Sequence, residues 1–165
     1  MFQLKDQAVH VTHINQREEK HGSEGVLAID LKISCDVPKS FCAQIAPQLP
    51  EFMYDGETLR FPQLEALKVK VGIKEATLVL SAGTKKSEVA FVVDIKTAML
   101  DPKEGGTVEL SFQAATNPTP DQVGKVSALL GAEKSSVCTL HLNDMFPPKA
   151  GEGGEGKGDD DGDQE

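Results

Sequence analysis

An antiparallel, mainly β or α+β domain is the fold this chain predicts: a sheet or partly open barrel of about seven strands with two short helices. Three observations carry that expectation. Apolar and polar residues alternate with period two in several separate stretches, glycine- and proline-bearing turns fall between them, and only two segments have helical spacing.

In chain order, the first strand is expected at 8–14 ("AVHVTHI") and the second at 26–35 ("VLAIDLKISC"). In the second, Leu27, Ile29, Leu31, Ile33 and Cys35 fall on one face, and Asp30, Lys32 and Ser34 on the other. A strand sends successive side chains to opposite faces, so the first set belongs in a core and the second in water. The intervening "NQREEKHGSE", 15–24, reads as a long solvated hairpin loop, or as a contact loop that offers Arg17, Lys20 and His21 to a phosphate or an acidic partner. Next comes a weak helical pattern, with Phe41, Ile45 and Leu49 at helical spacing and Pro47 and Pro50 placed to kink or split it.

Strands at 67–72 and 76–82 follow, and "SAGTKKSEV" turns the chain into another at 88–97. There Val89, Phe91, Val93 and Ile95 face inward. "DPKEGG" breaks the chain before 107–114, where Val108, Leu110, Phe112 and Ala114 repeat the pattern. "TPDQVGKVSALLG" is the stronger helix: Thr119 caps it, Pro120 suits its first turn, and Gln122 completes a capping box. Val123, Val126 and Leu130 line its inner face, and Gly131 is placed to end it. A last strand is expected at 136–142.

One domain is expected over 1–147, with Met145 and Phe146 the last apolar side chains able to pack on it. The remainder, 148–165, is expected to be a disordered tail. Its final fifteen residues, "GEGGEGKGDDDGDQE", hold seven acids and six glycines, and nothing in them offsets the ~1–2 kcal/mol per residue of backbone ordering entropy. Against Lys157 those acids leave the tail at −6 of the total −9, so the domain itself is near balance. An acidic chain of this kind can still carry a locally basic face. Three scattered cysteines, Cys35, Cys42 and Cys138, read as reduced thiols, and no apolar run approaches the ~20 residues of a membrane span. The expected location is cytoplasmic: the host cytoplasm, if the chain is phage-encoded.

Enzyme signatures are absent from the sequence. There is no G-x-S-x-G elbow and no cysteine with a family signature, and "GEGGEGKG" lies in the tail without a helix to present an anion. His10 and His13, three apart in a strand, are expected on opposite faces, as are Cys138 and His141, so neither pair resembles a zinc motif. No catalytic residue, metal or cofactor is expected. What remains is surface charge. Lys68 and Lys70 share a strand face, Lys74 follows, Lys85 and Lys86 occupy a hairpin tip, and Lys32 and Lys96 point outward. On neighbouring strands these would make a phosphate-tracking lysine field, with Phe2, Phe52, Tyr54 and Phe61 as stacking platforms.

The pieces "REEKHGSEGVLAIDLKISCDVP" and "PTPDQVGKVSALL" resemble small proteins of tailed phages and prophages, encoded in early or recombination regions. The likeness spans most of 8–142 and rests on pattern. The tail is similar to the acidic C-termini of bacterial and phage single-stranded-DNA-binding proteins, which recruit replication and repair enzymes and compete with DNA for a basic groove. It departs from the bacterial pattern in ending "DDDGDQE", without terminal apolar residues for such enzymes to grip.

These resemblances imply a non-enzymatic single-stranded-DNA-binding or replication and recombination accessory protein. Arg17, Lys20, Tyr54, Lys68, Lys70, Lys74, Lys85 and Lys86 would contact nucleic acid. Asp159, Asp160, Asp161, Asp163 and Glu165 would face replication or recombination proteins and compete with DNA. The alternative is a protein-interaction module that inhibits a host DNA-binding or defence enzyme, its tail mimicking DNA. Homo-oligomerisation is left open.

Overall fold

A computed structural model describes residues 2–130 and 136–142, with the backbone alone at His21, His141 and Leu142. Gly131, Met145, Phe146 and the tail lie outside the described residues. Among the described residues there are eight strands: β1 (Leu4–His21), β2 (Glu24–Pro38), β3 (Tyr54–Asp55), β4 (Thr58–Leu59), β5 (Leu67–Ser81), β6 (Val89–Lys103), β7 (Thr107–Thr116) and β8 (Ser136–Leu142). Six of them close into an antiparallel barrel in the order β1-β2-β7-β6-β5-β8, and β3 and β4 form a separate two-residue ribbon. Two short helices, α1 (Leu49–Met53) and α2 (Pro120–Ser127), lie in the long connections.

Alternation decides which side chains fill the barrel. Ile29, Leu31, Ile33 and Cys35 from β2 meet Val108, Leu110, Phe112 and Ala114 from β7, Phe91, Val93 and Ile95 from β6, and Leu78, Leu80, Cys138 and Leu140 from β5 and β8. All are buried in one cluster, and no buried side-chain nitrogen or oxygen among the described residues lacks a hydrogen bond. Irregularities in β1, β5 and β6 curve the wall, as bulges do at barrel corners. Two in β5 sit at Gly72 and Glu75, both at positive φ, and Glu75 N–H donates to Asp94 Oδ1 at 2.9 Å.

The two connections that are not hairpins plug the two ends. Residues 39–66 run from β2 to β5 across one end, here the lower, where Phe2 packs edge-on against Phe41 and Phe112. At the upper end the link from β7 toward β8 carries α2. Thr119 and Gln122 form the expected capping box, Gln122 Nε2 donates to Ala90 O at 2.7 Å, and Val126 and Leu129 are buried.

Several expectations are corrected. The charged stretch 15–24 is not a loop: β1 and β2 continue through it as a paired arm around a two-residue turn, with Gly22 at φ 71°. That turn gives its first position to glycine at little steric cost. Leu27 lies on this arm beyond the last β2–β7 pair, Ile29↔Thr116, so it is 36% exposed and outside the core. The expected strands 67–72 and 76–82 are one strand, since bulges bend β5 without ending it. On α2, Leu129 is buried and Leu130 exposed, because the helix ends at Ser127 and the following turn rotates the chain. A one-residue register shift between Val11 and His13 places His10 opposite Ser34 and His13 opposite Lys32, so both histidines share the outer face.

Leu110→Ala removes a fully buried side chain from the barrel and should cost about 2–5 kcal/mol. Leu27→Ala, on the exposed arm, should cost less than about 1 kcal/mol. Urea denaturation of both variants checks the contrast; equal losses would mean that the arm, too, is core.

Candidate nucleic-acid interface

The lower cap is built from residues whose local chemistry forbids one continuous helix. Pro38 precedes a 3-10 turn over Lys39–Gln44, and Pro50 starts α1 in its first turn. Gly56, at φ 60°, then reverses the β3–β4 ribbon. Phe41, Cys42, Met53 and Tyr54 turn inward. The Tyr54 hydroxyl lies 2.8 Å from Lys103 O and 2.7 Å from Thr107 O, bridging the strand ends that flank the β6–β7 turn. Lys39 N–H donates to Gly106 O at 2.8 Å and Gly105 N–H to Glu57 O at 3.1 Å, so the cap is fastened to that hairpin at three places. Burial raises the Tyr54 phenol above its ordinary pKa.

This fastening leaves two aromatic rings outside. Phe52 is 48% exposed and Phe61 46%, with ring centroids 5.5 Å apart and planes tilted by 42°. Arg60 lies beside Phe61 in the chain. It is exposed, its Nε donates to Glu51 O at 2.7 Å and Tyr54 O at 3.0 Å, and its amide donates to Met53 O. Nothing in the sequence singled out Arg60; its role depends on the ribbon bringing residue 60 back over residues 51–54.

The predicted cationic residues do not form one field. Lys68 and Lys70 are exposed on the outer face at the lower end of β5, opposite Met99 and Thr97, and Lys74 is exposed farther along. β8 pairs β5 only from Ala76 to Ser81, so among the described residues Leu67–Lys74 has a strand neighbour on the β6 side alone. Lys85 and Lys86 sit on a 3-10 turn at the other end of β5. Eleven residues separate Lys70 from Ser81, roughly 30 Å or more at the usual rise of a strand. Arg17 and Lys20 are also at that far end, on the arm. Arg17 pairs with Glu19 and with Asp30 at 3.1 Å, so its charge is already answered. Lys20 is exposed, and the side chain of His21 lies outside the described residues.

Beneath the arm lies a cleft of about 650 Å³, in which Lys96 and Arg17 are outnumbered by Glu19, Glu75 and Asp94. The charged lining of that cleft is acidic by one, which gives phosphate no cationic field to follow. Lys32 is exposed on β2, away from both lysine groups. Lys103 is paired with Asp101 and lies 3.5 Å from Glu109, and these partners hold its ammonium above the ordinary lysine pKa. Tyr54 and Phe2, expected as stacking platforms, are 2% and 3% exposed and cannot meet a base. At the lower end the fold brings Phe52 and Phe61 together, Arg60 and Asp55 share a surface with Phe61, and Lys68 and Lys70 stand on the first residues of β5.

The thiols are all free and buried. Burial pushes Cys35 and Cys138 up to about 12, with the charge of Asp36 adding at Cys35, and Cys42 up to about 11. None is a thiolate nucleophile near neutrality. Among the described residues no three His, Cys, Asp or Glu side chains converge to hold a metal, and no described helix is long and apolar enough to cross a membrane. No family model, curated protein or solved structure matches the chain.

The raised thiol values fix a pH dependence. An unfolded thiol ionises near its ordinary value of 9.0 while the folded one stays protonated. Stability is therefore complete below about pH 9 and falls as pH rises from there toward 12, where the unfolded chain has released protons that the native barrel still holds. Urea denaturation at about pH 8 and about pH 10.5 should show this loss, and Cys138→Ala should reduce it. A slope unchanged by that substitution would assign the alkaline loss to other groups.

Proposed function

We propose that this chain is a non-enzymatic, phage-type single-stranded-DNA-binding or replication and recombination accessory protein that works through the lower end of its barrel. One observation carries the reading: two exposed phenylalanine rings, 5.5 Å apart, share that end with Arg60, Lys68 and Lys70. Successive bases stack on aromatic faces regardless of sequence, and cations alongside follow the phosphates. Of the remaining predicted contacts, Lys85, Lys86, Arg17 and Lys20 stand at the far end, Lys74 lies farther along β5 and Tyr54 is buried, so all six lie outside the proposed site. The acidic tail, at −6, would act as a tethered polyanion that competes with DNA for the same lysines.

A second reading rests on the arm, where Val26 and Leu27 are exposed on the two faces of a two-stranded ribbon that also carries Glu18, Glu19 and Lys20. Apolar residues rimmed by mixed charge suit a protein partner, as in a module that inhibits a host DNA-binding or defence enzyme.

Fluorescence anisotropy with a labelled oligothymidylate separates the two. Phe52→Ala or Phe61→Ala should weaken binding by about 1–3 kcal/mol at any salt concentration. Lys68→Glu with Lys70→Glu should weaken it most at low salt and flatten the salt dependence, while Lys85→Glu with Lys86→Glu should have little effect. Truncation after Ala150 should tighten binding, most visibly at low ionic strength. No binding by either the full or the truncated chain would end the nucleic-acid reading and leave the arm as the candidate surface.

A further inference from the structure

We propose that the surface beside Phe61 selects guanine among the bases of a bound single strand, with Asp55 reading its donor edge and Arg60 its acceptor edge. The inference rests on the DNA-binding reading and deepens it. An open hollow of about 490 Å³ lies there, lined by Asp55, Thr58, Leu59, Arg60 and Phe61. The β3–β4 ribbon brings the polar residues together. Asp55 pairs with Thr58 and Tyr54 with Leu59, and the amide of Arg60 donates to Met53 O, so the pairing continues one residue further. Alternation then sends Tyr54 inward, where it is buried, and Asp55, Thr58 and Arg60 to the exposed face. Asp55 and Arg60 are diagonal neighbours on that face, positions about 7–8 Å apart in a strand pair.

Both charged groups are open to a ligand. Arg60 commits only Nε, to the carbonyls of Glu51 and Tyr54. That holds the guanidinium in one orientation and leaves its two terminal nitrogens without a partner among the described residues. The Asp55 carboxylate has no hydrogen bond or ion pair among the described residues, so the two are not spent on each other. A carboxylate here works against phosphate, adding repulsion where the lysines attract. It suits a base edge instead. A carboxylate only accepts hydrogen bonds, and an arginine fork only gives them. The base that satisfies both offers donors on one edge and acceptors on the other. Guanine does so with two atoms each time: N1–H and the N2 amine for the carboxylate, O6 and N7 for the fork. Cytosine and adenine bring a single exocyclic amine, and thymine a single N3–H, so the carboxylate is met less well by each. The same guanine would lie on the exposed ring of Phe61, with Phe52 beside it for the next base. Stacking is indifferent to sequence; the two charged groups supply the preference.

Fluorescence anisotropy with a short labelled oligothymidylate tests it, one central thymine being replaced in turn by guanine, adenine, cytosine, hypoxanthine or 7-deazaguanine. Guanine should tighten binding about fivefold or more over thymine, the discrimination of one good bidentate contact. Hypoxanthine, which lacks the N2 amine, and 7-deazaguanine, which lacks N7, should each lose most of that gain. Asp55→Asn should bring the guanine-to-thymine ratio toward one and leave the all-thymine oligomer bound at least as tightly, because an anion has gone. A merely structural Asp55 would lower both affinities together and keep the ratio, which would overturn the proposal. Arg60→Gln should also lower the ratio; where it loosens the ribbon, 7-deazaguanine on the unaltered chain makes the same test. Equal binding of all the oligomers, or an adenine or cytosine oligomer bound more tightly than the guanine one, would overturn the proposal and leave the DNA-binding reading standing. Binding of none of them would remove both.

Discussion

β8 is seven residues long, yet it hydrogen-bonds on both sides, to β1 from Leu4 to Val9 and to β5 from Ala76 to Ser81. Those two seams turn a sheet into a barrel. Without them β1 and β5 would each present an open edge beside a row of inward aliphatic side chains, an arrangement prone to aggregation. Closure also dictates where every other segment goes. Once the strand order is β1-β2-β7-β6-β5-β8, the link from β2 to β5 and the link from β7 to β8 can only cross the ends. Each then brings its own apolar residues as a plug.

The lower plug shows how packing produces an exposed site. Tyr54 must bury its ring to complete the core, and its hydroxyl must then find partners away from water. The carbonyls of Lys103 and Thr107 provide them, which pins the ribbon to the β6–β7 hairpin. With Met53 and Tyr54 committed inward, their neighbour Phe52 is turned out, and the ribbon returns Phe61 beside it. The aromatic pair is thus a consequence of core formation on the other side of the same short segment.

Charge on this molecule follows strand geometry. Outward positions recur along strands tens of ångströms long, so lysines near in sequence pattern can be far apart in space. β5 carries Lys68 and Lys70 at one end and delivers the chain to Lys85 and Lys86 at the other. At the arm, Arg17 stands opposite Ala28, diagonal to Asp30 on β2 and two residues from Glu19 on its own strand, and the cation is paired with both acids.

Local sequence determined the periodicities, turns and caps. The alternation in 26–35, 88–97 and 107–114 assigns Ile29, Phe91 and Leu110 to the interior whatever the strand order, because a strand's two faces depend only on the parity of neighbouring residues. The capping box at Thr119 and Gln122 is equally local, and so is the −6 charge of the last fifteen residues. Bulges escape such reading. One extra residue at Thr12 reverses the parity on which the placement of His10 and His13 relied. Barrel closure, the burial of Tyr54, the exposure of Leu27, the Phe52–Phe61 pair and the separation of the lysines all required the tertiary structure. Each depends on which distant strand becomes the neighbour, and that is settled by the joint packing of six strands around one core, not by any stretch of residues alone.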